Sequence, residues 1–165
     1  GVTEAEFERA VAQYEIAFDA HVTSEVPDVP IATVGYMHFG AASEMGALRD
    51  ELSALCPQFD FVRPSPTFFD VLPHGWTKAS ALPILEEYLG IAREEVVFFG
   101  DSENDLAMMR AVPNSFAVSN GTDSARATAR YHIGDAADDS VAKVLESLAR
   151  NHGRLSIPED ALPRA

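Results

Sequence analysis

Cysteine is all but absent: Cys56 stands alone among 165 residues, which excludes an internal disulfide and leaves that thiol an inert packing role. Basic residues are scarce as well. Twelve Lys and Arg face 26 Asp and Glu, a formal net charge of −14, and this balance opposes binding to DNA, RNA or an anionic membrane, whose phosphates need clustered cations. No apolar run approaches the roughly 18 residues that would span a bilayer, and no signal-peptide pattern is present. These absences predict a cytoplasmic protein with neither nucleic acid nor membrane as partner. The five histidines contain no His-x-His or i,i+4 pair, so zinc is without support. Internal repeats and low-complexity segments are missing too. The first residue is Gly rather than Met, which suggests a cloned or cleaved product whose natural start lies elsewhere. What the chain does have is 47% apolar residues, enough for the core of an ordinary domain.

The pattern along the chain changes near Pro73. Before it, Phe7, Val11, Tyr14 and Phe18 recur at helical spacing behind a Thr3/Glu6 capping box, predicting a helix from Thr3 to Ala20. A Pro-bearing loop, Val26 to Pro30, leads to a strand over Ile31 to Phe39. A second helix starts at Ser43 with Met45, Leu48, Leu52 and Leu55 inward and is stopped by Pro57. Two strands follow, Phe59 to Arg63 and Thr67 to Leu72. This first part, 1–73, reads as an α+β layer. After it, strands and helices alternate. A helix holds Leu82, Leu85 and Leu89 and ends at Gly90; a strand covers Val96 to Phe99; another helix runs to Ala111. Then come a strand Ser115 to Val118, a helix Thr122 to Ala129, a strand Tyr131 to Ile133 and a helix Asp139 to Arg150. Residues 74–150 thus predict half of a doubly wound parallel sheet, an α/β fold. The cluster Asp135 to Asp139 reads as a turn and helix N-cap, and 151–165 as a poorly ordered tail or a strap.

The stretch VVFFGDSENDLAMM, Val96 to Met109, holds the chemistry. An apolar strand ends at Gly100, and Asp101, Asn104 and Asp105 follow at the start of a helix. Ligand crevices of open parallel sheets lie at the carboxyl ends of strands. Two carboxylates and an amide oxygen so placed are hard donors suited to Mg²⁺. A plainer alternative is that Ser102 or Asp101 only caps the helix. Lys78 opens a helix, where the dipole disfavours positive charge, and so hints at a partner anion; a solvated surface lysine is the alternative. Asn120 precedes Gly121 and reads equally as a turn residue.

GDSEND followed by LAMM resembles the fourth signature motif of the haloacid dehalogenase superfamily, in the form of its Cof-like sugar-phosphatase branch with a type IIB cap. VLPHGWTK and FAVSNGTDSARATARYHIGDAADDSVAKVL are similar to the same branch, so the resemblance covers roughly residues 67–148. It implies a partial Rossmann-like core after part of an α+β cap, with Mg²⁺ as cofactor and a small phosphorylated metabolite, such as a sugar phosphate, as substrate. By the same resemblance Lys78 is catalytic and holds the transferring phosphate, Asp101 and Asp105 hold the metal, Asp105 also serves catalysis, and Asn104 and Asn120 lie near the phosphate. The cap normally selects the leaving group, but no cap residue is assigned to that role; Arg63 and His38 are polar candidates that read more readily as surface residues.

One departure matters. The superfamily's attacking carboxylate belongs to an Asp-x-Asp pair, and this sequence contains none; Phe68-Phe69-Asp70 continues into Val-Leu-Pro rather than Asp-Gly, and the hydroxyl motif is missing too. Covalent phosphoryl transfer then lacks its first step. The expectation is therefore the C-terminal part of a phosphatase, inactive alone, that pairs with an N-terminal segment or a second copy of itself. Two alternatives remain open: a non-catalytic module binding phosphate and Mg²⁺, and a GDSL-type esterase with Ser102 as nucleophile. The latter needs an Asp-x-x-His pair that His132 and His152 do not provide.

Overall fold

Residues 3–6, 8, 9, 11, 12, 25, 28, 31, 34–38 and 40–164 are described by the structure, a computed structural model. The polypeptide divides into two units, Gly1–His74 and Gly75–Ala165.

In the first unit, residues 4–6, 8, 9, 11 and 12 are helical, and the Thr3 amide and hydroxyl both donate to Glu6 Oε2 at 2.8 Å. The rest of the helix expected up to Ala20 lies outside the described residues, as does most of the loop Val26 to Pro30. Strand β1 (Val34–Met37) is shorter than the expected Ile31 to Phe39, of which Ala32, Thr33 and Phe39 lie outside the described residues. Helix α1 is Met45–Leu55. Strand β3 (Phe68–Pro73) lies between β1 and β2 (Phe59–Ser65), antiparallel to both. The β2 register shifts between Val62 and Ser65, where Pro64 has no amide to donate to a ladder. Phe69 is fully buried and meets the rings of Tyr36 and Phe61 at 6.2 Å each. Met45 is buried, but Leu55, expected inward, is 70% exposed. Periodicity marks a face of a helix without saying how far the layer covering it extends.

In the second unit, a 3₁₀ turn over Lys78–Ala81 leads into α2 (Leu82–Leu89). Pro83 sits in the first turn, where its missing amide costs no bond, and Gly90 ends the helix at φ 65°. Then follow β4 (Val97–Gly100), a 3₁₀ turn over Glu103–Asp105, α3 (Leu106–Ala111), β5 (Asn114–Val118), α4 (Asp123–Thr128), β6 (Tyr131–Ile133) and α5 (Ser140–Arg150). The three strands are parallel in the order β4-β5-β6. Register places Phe99 beside Phe116 and Phe116 beside Tyr131, and their rings stack with centroids 5.1 and 4.9 Å apart.

Strand pleating sends neighbours to opposite faces. Phe116, Val118 and Ile133 pack against Val144 of α5, while Ala117 packs against Met109 and Ala125 with Phe98 and Leu106. A parallel sheet is thus covered by helices on both faces, the α/β class expected. Leu155, Ile157 and Ala161 join the Phe116 side of this core, so residues 151–164 form a packed strap. Thr122 and Asp139 are caps rather than first helical residues, and Asp139 reaches φ 56°. Asp135 Oδ1 accepts the Ala137 amide at 2.8 Å, the turn-and-cap arrangement expected of that acidic cluster. On α2, Leu82 is buried, whereas Leu85 and Leu89 are 44% and 56% exposed. No described helix is long and apolar enough to cross a membrane.

Candidate functional site

The carboxyl end of β4 is where the polar residues of the central motif converge. After Gly100 the chain turns through Glu103–Asp105, and this single turn carries Asp105 back under the strand end. Asp105 Oδ2 accepts the amides of Asp101 at 2.9 Å and Ser102 at 3.2 Å, and Oδ1 accepts Lys78 Nζ at 2.6 Å. A Cβ on residue 100 would lie 2.6–2.7 Å from the Asp105 Cβ, carboxyl carbon and Oδ2. Glycine is therefore what lets the carboxylate occupy this position.

Asp105 is nearly sealed from solvent, its side chain 5% exposed, while Lys78 is 48% exposed. Burial by itself would raise the Asp105 pKa, but the bond from Lys78, the two backbone amides and the ammonium charge outweigh it. The carboxyl is held below its ordinary value. The lysine at the helix start thus has an anion, and it is a residue of its own chain.

Asp101 presents an exposed side chain. Its carbonyl accepts from the Thr122 amide at 2.7 Å and hydroxyl at 3.2 Å, and Gly121 is packed so closely that a Cβ there would meet Asp101 O at 3.0 Å. The β5–α4 loop is thereby bound to the motif. Asn104 Oδ1 accepts the Ser102 hydroxyl at 3.0 Å. Asn120 lies on the bound loop, but its Oδ1 accepts the Ala136 amide at 3.2 Å, towards the start of α5. Lys78, Asp101, Asn104 and Asp105 are therefore brought together at one strand end, whereas Asn120 is tied to the neighbouring loop. Sequence reasoning missed the Asp101 contacts of Gly121 and Thr122, whose local signal, a glycine followed by a helix cap, is satisfied without any long-range role.

Oxygen donors suited to Mg²⁺ are present, though few. Asp105 Oδ2 already accepts two amides and Oδ1 one ammonium, so only an outer lone pair of Oδ1 remains for a cation. Asp101 is the carboxylate open to one. Among the described residues no group of three or more His, Cys, Asp or Glu is placed to hold a metal. Ser102 is buried and donates to Asn104, while the His132 ring nitrogen lies 2.6 Å from the Arg126 carbonyl; no serine–histidine pair forms there. In the other unit His38 Nε2 lies 2.7 Å from Glu44 Oε2.

Comparison with known proteins extends the geometry. The profile of haloacid dehalogenase-like hydrolases matches residues 8–145. A Haemophilus influenzae protein named as a candidate phosphatase is 30% identical over 141 residues, which are 85% of this chain and 51% of that protein. A 5-amino-6-(5-phospho-D-ribitylamino)uracil phosphatase of Bacillus subtilis is 35% identical over 88 residues, 53% of this chain and 35% of the enzyme. A solved subclass IIB sugar phosphatase of the superfamily superposes with a TM-score of 0.66 at 22% identity, over 84% of this chain and 54% of that one, a likeness of fold. The chain spans about half the length of these relatives or less. Taken with the Lys–Asp network at the end of β4, the profile match shows that the chain belongs to the haloacid dehalogenase-like hydrolase family, with the fold of its subclass IIB members.

Proposed function

We propose that Lys78, Asp101 and Asp105 are part of the active site of a Mg²⁺-dependent phosphoric monoester hydrolase that acts on a small phosphorylated metabolite, such as a sugar phosphate. The observation that carries this reading is the Lys78 ammonium fixed by a buried carboxylate at the mouth of a parallel strand. Pinned at one end by Asp105 and half open to solvent, Lys78 keeps donors for phosphoryl oxygens without having to be ordered when substrate binds. Asp105 positions Lys78 and closes the turn that presents Asp101, and it is the second acid of the metal site through its one open lone pair. Asp101 is the principal protein ligand for Mg²⁺, which when bound would neutralise charge on the phosphoryl group. Asn104 would lie beside the phosphate, whereas Asn120, tied to Ala136, would act only by holding the β5–α4 loop.

The Bacillus relative's named substrate, a phosphorylated ribitylaminouracil, supports a small phosphorylated metabolite. Acidic charge and a single cysteine support a cytoplasmic protein without nucleic acid or membrane partners. The attacking carboxylate is not among these 165 residues in any Asp-x-Asp pair, so this chain supplies the phosphate- and metal-facing part of the site and does not turn over alone.

Calorimetric titration of inorganic phosphate with Mg²⁺ present tests the reading. Mg²⁺-dependent phosphate binding that is lost in both Lys78→Ala and Asp101→Asn, with unchanged circular dichroism, is the expected result. Mg²⁺-dependent phosphate binding indifferent to both substitutions overturns it.

A further inference from the structure

The opposite end of the second unit holds a concentration of positive charge that the phosphatase reading does not use. In a chain with 12 Lys and Arg against 26 acidic residues, Arg150, His152 and Arg154 fall within five positions. The structure gathers them, with Asn151 and Ser156, around an open cavity of about 500 Å³. Backbone geometry builds this cradle. After α5 ends, His152 and Gly153 both take left-handed conformations, φ 53° and 80°, which reverses the chain and returns Arg154 beside the helix end. The Gly153 amide donates to Leu148 O at 2.9 Å, the Arg154 amide to Asn151 O at 3.1 Å, and the Asn151 side chain to Ser147 Oγ at 3.2 Å.

A helix C-terminus ordinarily repels anions. Here the Ser147 and Leu148 carbonyls are already occupied by the amides of Asn151 and Gly153, and Arg150 and Arg154 both line the adjoining cavity. Arg154 forms no ion pair among the described residues. Arg150 meets only Glu146 at 2.7 Å, in a pair whose side chains are 77% and 64% exposed, and such a solvated pair is exchanged at little cost.

We propose that Arg150, His152 and Arg154 form a binding site for a multiply charged phosphoryl anion, separate from the Lys78 site. Planar guanidinium forks match phosphoryl oxygens in pairs, and the cavity has room for a diphosphate-sized group. Separation follows from α5 itself. Ser140 begins the helix against Gly134, at the carboxyl end of β6, and the eleven residues to Arg150 carry the chain about 16 Å away from that strand end. An anion bound here also grips the start of the strap, whose Leu155, Ile157 and Ala161 pack on the core.

The test is a nuclear magnetic resonance titration of the whole ¹⁵N-labelled chain with inorganic pyrophosphate, without Mg²⁺. Saturable shifts of the Asn151, Gly153 and Arg154 amides are expected, retained in Lys78→Ala and weakened at least about tenfold in Arg150→Gln/Arg154→Gln, as loss of paired charge-assisted bonds requires. Added salt should weaken them too. The double variant lies on the exposed surface, and its thermal midpoint serves as the folding control. No saturable shift at these amides up to about 10 mM, shifts that disappear with Lys78→Ala, or equal binding by the double variant would each overturn the proposal. Failure of the phosphatase reading would leave these outcomes unchanged.

Discussion

Lys78 Nζ and Asp105 Oδ1, 27 residues apart in the chain, are 2.6 Å apart in the fold. Because the carboxylate is buried and the ammonium half exposed, the pair is asymmetric: Asp105 depends on Lys78 more than Lys78 depends on it. Lys78→Met should therefore destabilise the chain by about 1–2 kcal/mol, less than for a fully buried pair, because water reaches the lysine head. Urea denaturation measures the loss; an unchanged midpoint contradicts the dependence.

The lowered pKa of Asp105 fixes the sign of a pH effect. A carboxyl whose folded value lies below its unfolded value of about 3.9 contributes stability that is present above that value and lost as pH falls through the folded one. Stability of the chain should thus fall on acidification below about pH 4, and Asp105→Asn should flatten that part of the profile. Parallel slopes for both proteins would show that Asp105 is not the group responsible.

Gly100→Ala should act on the same network. Its methyl would fall 2.6–2.7 Å from the Asp105 side chain, so the carboxylate must leave its amides or the strand end must shift, at a cost of about 1–3 kcal/mol. Loss of Mg²⁺-dependent phosphate binding should accompany it. A variant of normal stability and normal phosphate affinity would be incompatible with the packing.

The isolated chain should not hydrolyse p-nitrophenyl phosphate, and its Mg²⁺ affinity should be roughly millimolar, since one open carboxylate and one outer lone pair leave most of an octahedron to water. Turnover abolished by Asp101→Ala, or micromolar Mg²⁺ binding by calorimetry, would require a nucleophile or ligands other than those assigned.

Strand β4 pairs with β5 on one side and with no strand on the other among the described residues. Unpaired edge amides beside Val97 and Phe99 invite strand addition. Sedimentation across a dilution series should reveal association with a second copy, and exchange of the Val97 to Gly100 amides should slow as it proceeds. A concentration-independent monomer with fast-exchanging β4 amides and ordinary thermal stability rules this out.

Much of the second unit was legible in its residues. Short apolar runs bounded by Gly100, Asn114 and Gly134 marked three strands to within a residue or so, because a strand buried on both faces needs apolar side chains and its ends need turn chemistry. The grouping of Asp101, Asn104 and Asp105 followed from spacing alone, since a strand end and one helical turn leave little freedom. How far the apolar stripes of α1 and α2 are buried was less accessible. Leu55, Leu85 and Leu89 lie on apolar stripes as real as those of Met45 and Leu82, yet remain exposed, because burial depends on what packs opposite, and no local pattern encodes that. The same reason governs the long-range contacts. Lys78 finding Asp105, Thr122 finding the Asp101 carbonyl, and the strap residues finding the Phe116 core all require strands distant in sequence to be set side by side, and only the folded arrangement of the sheet does so.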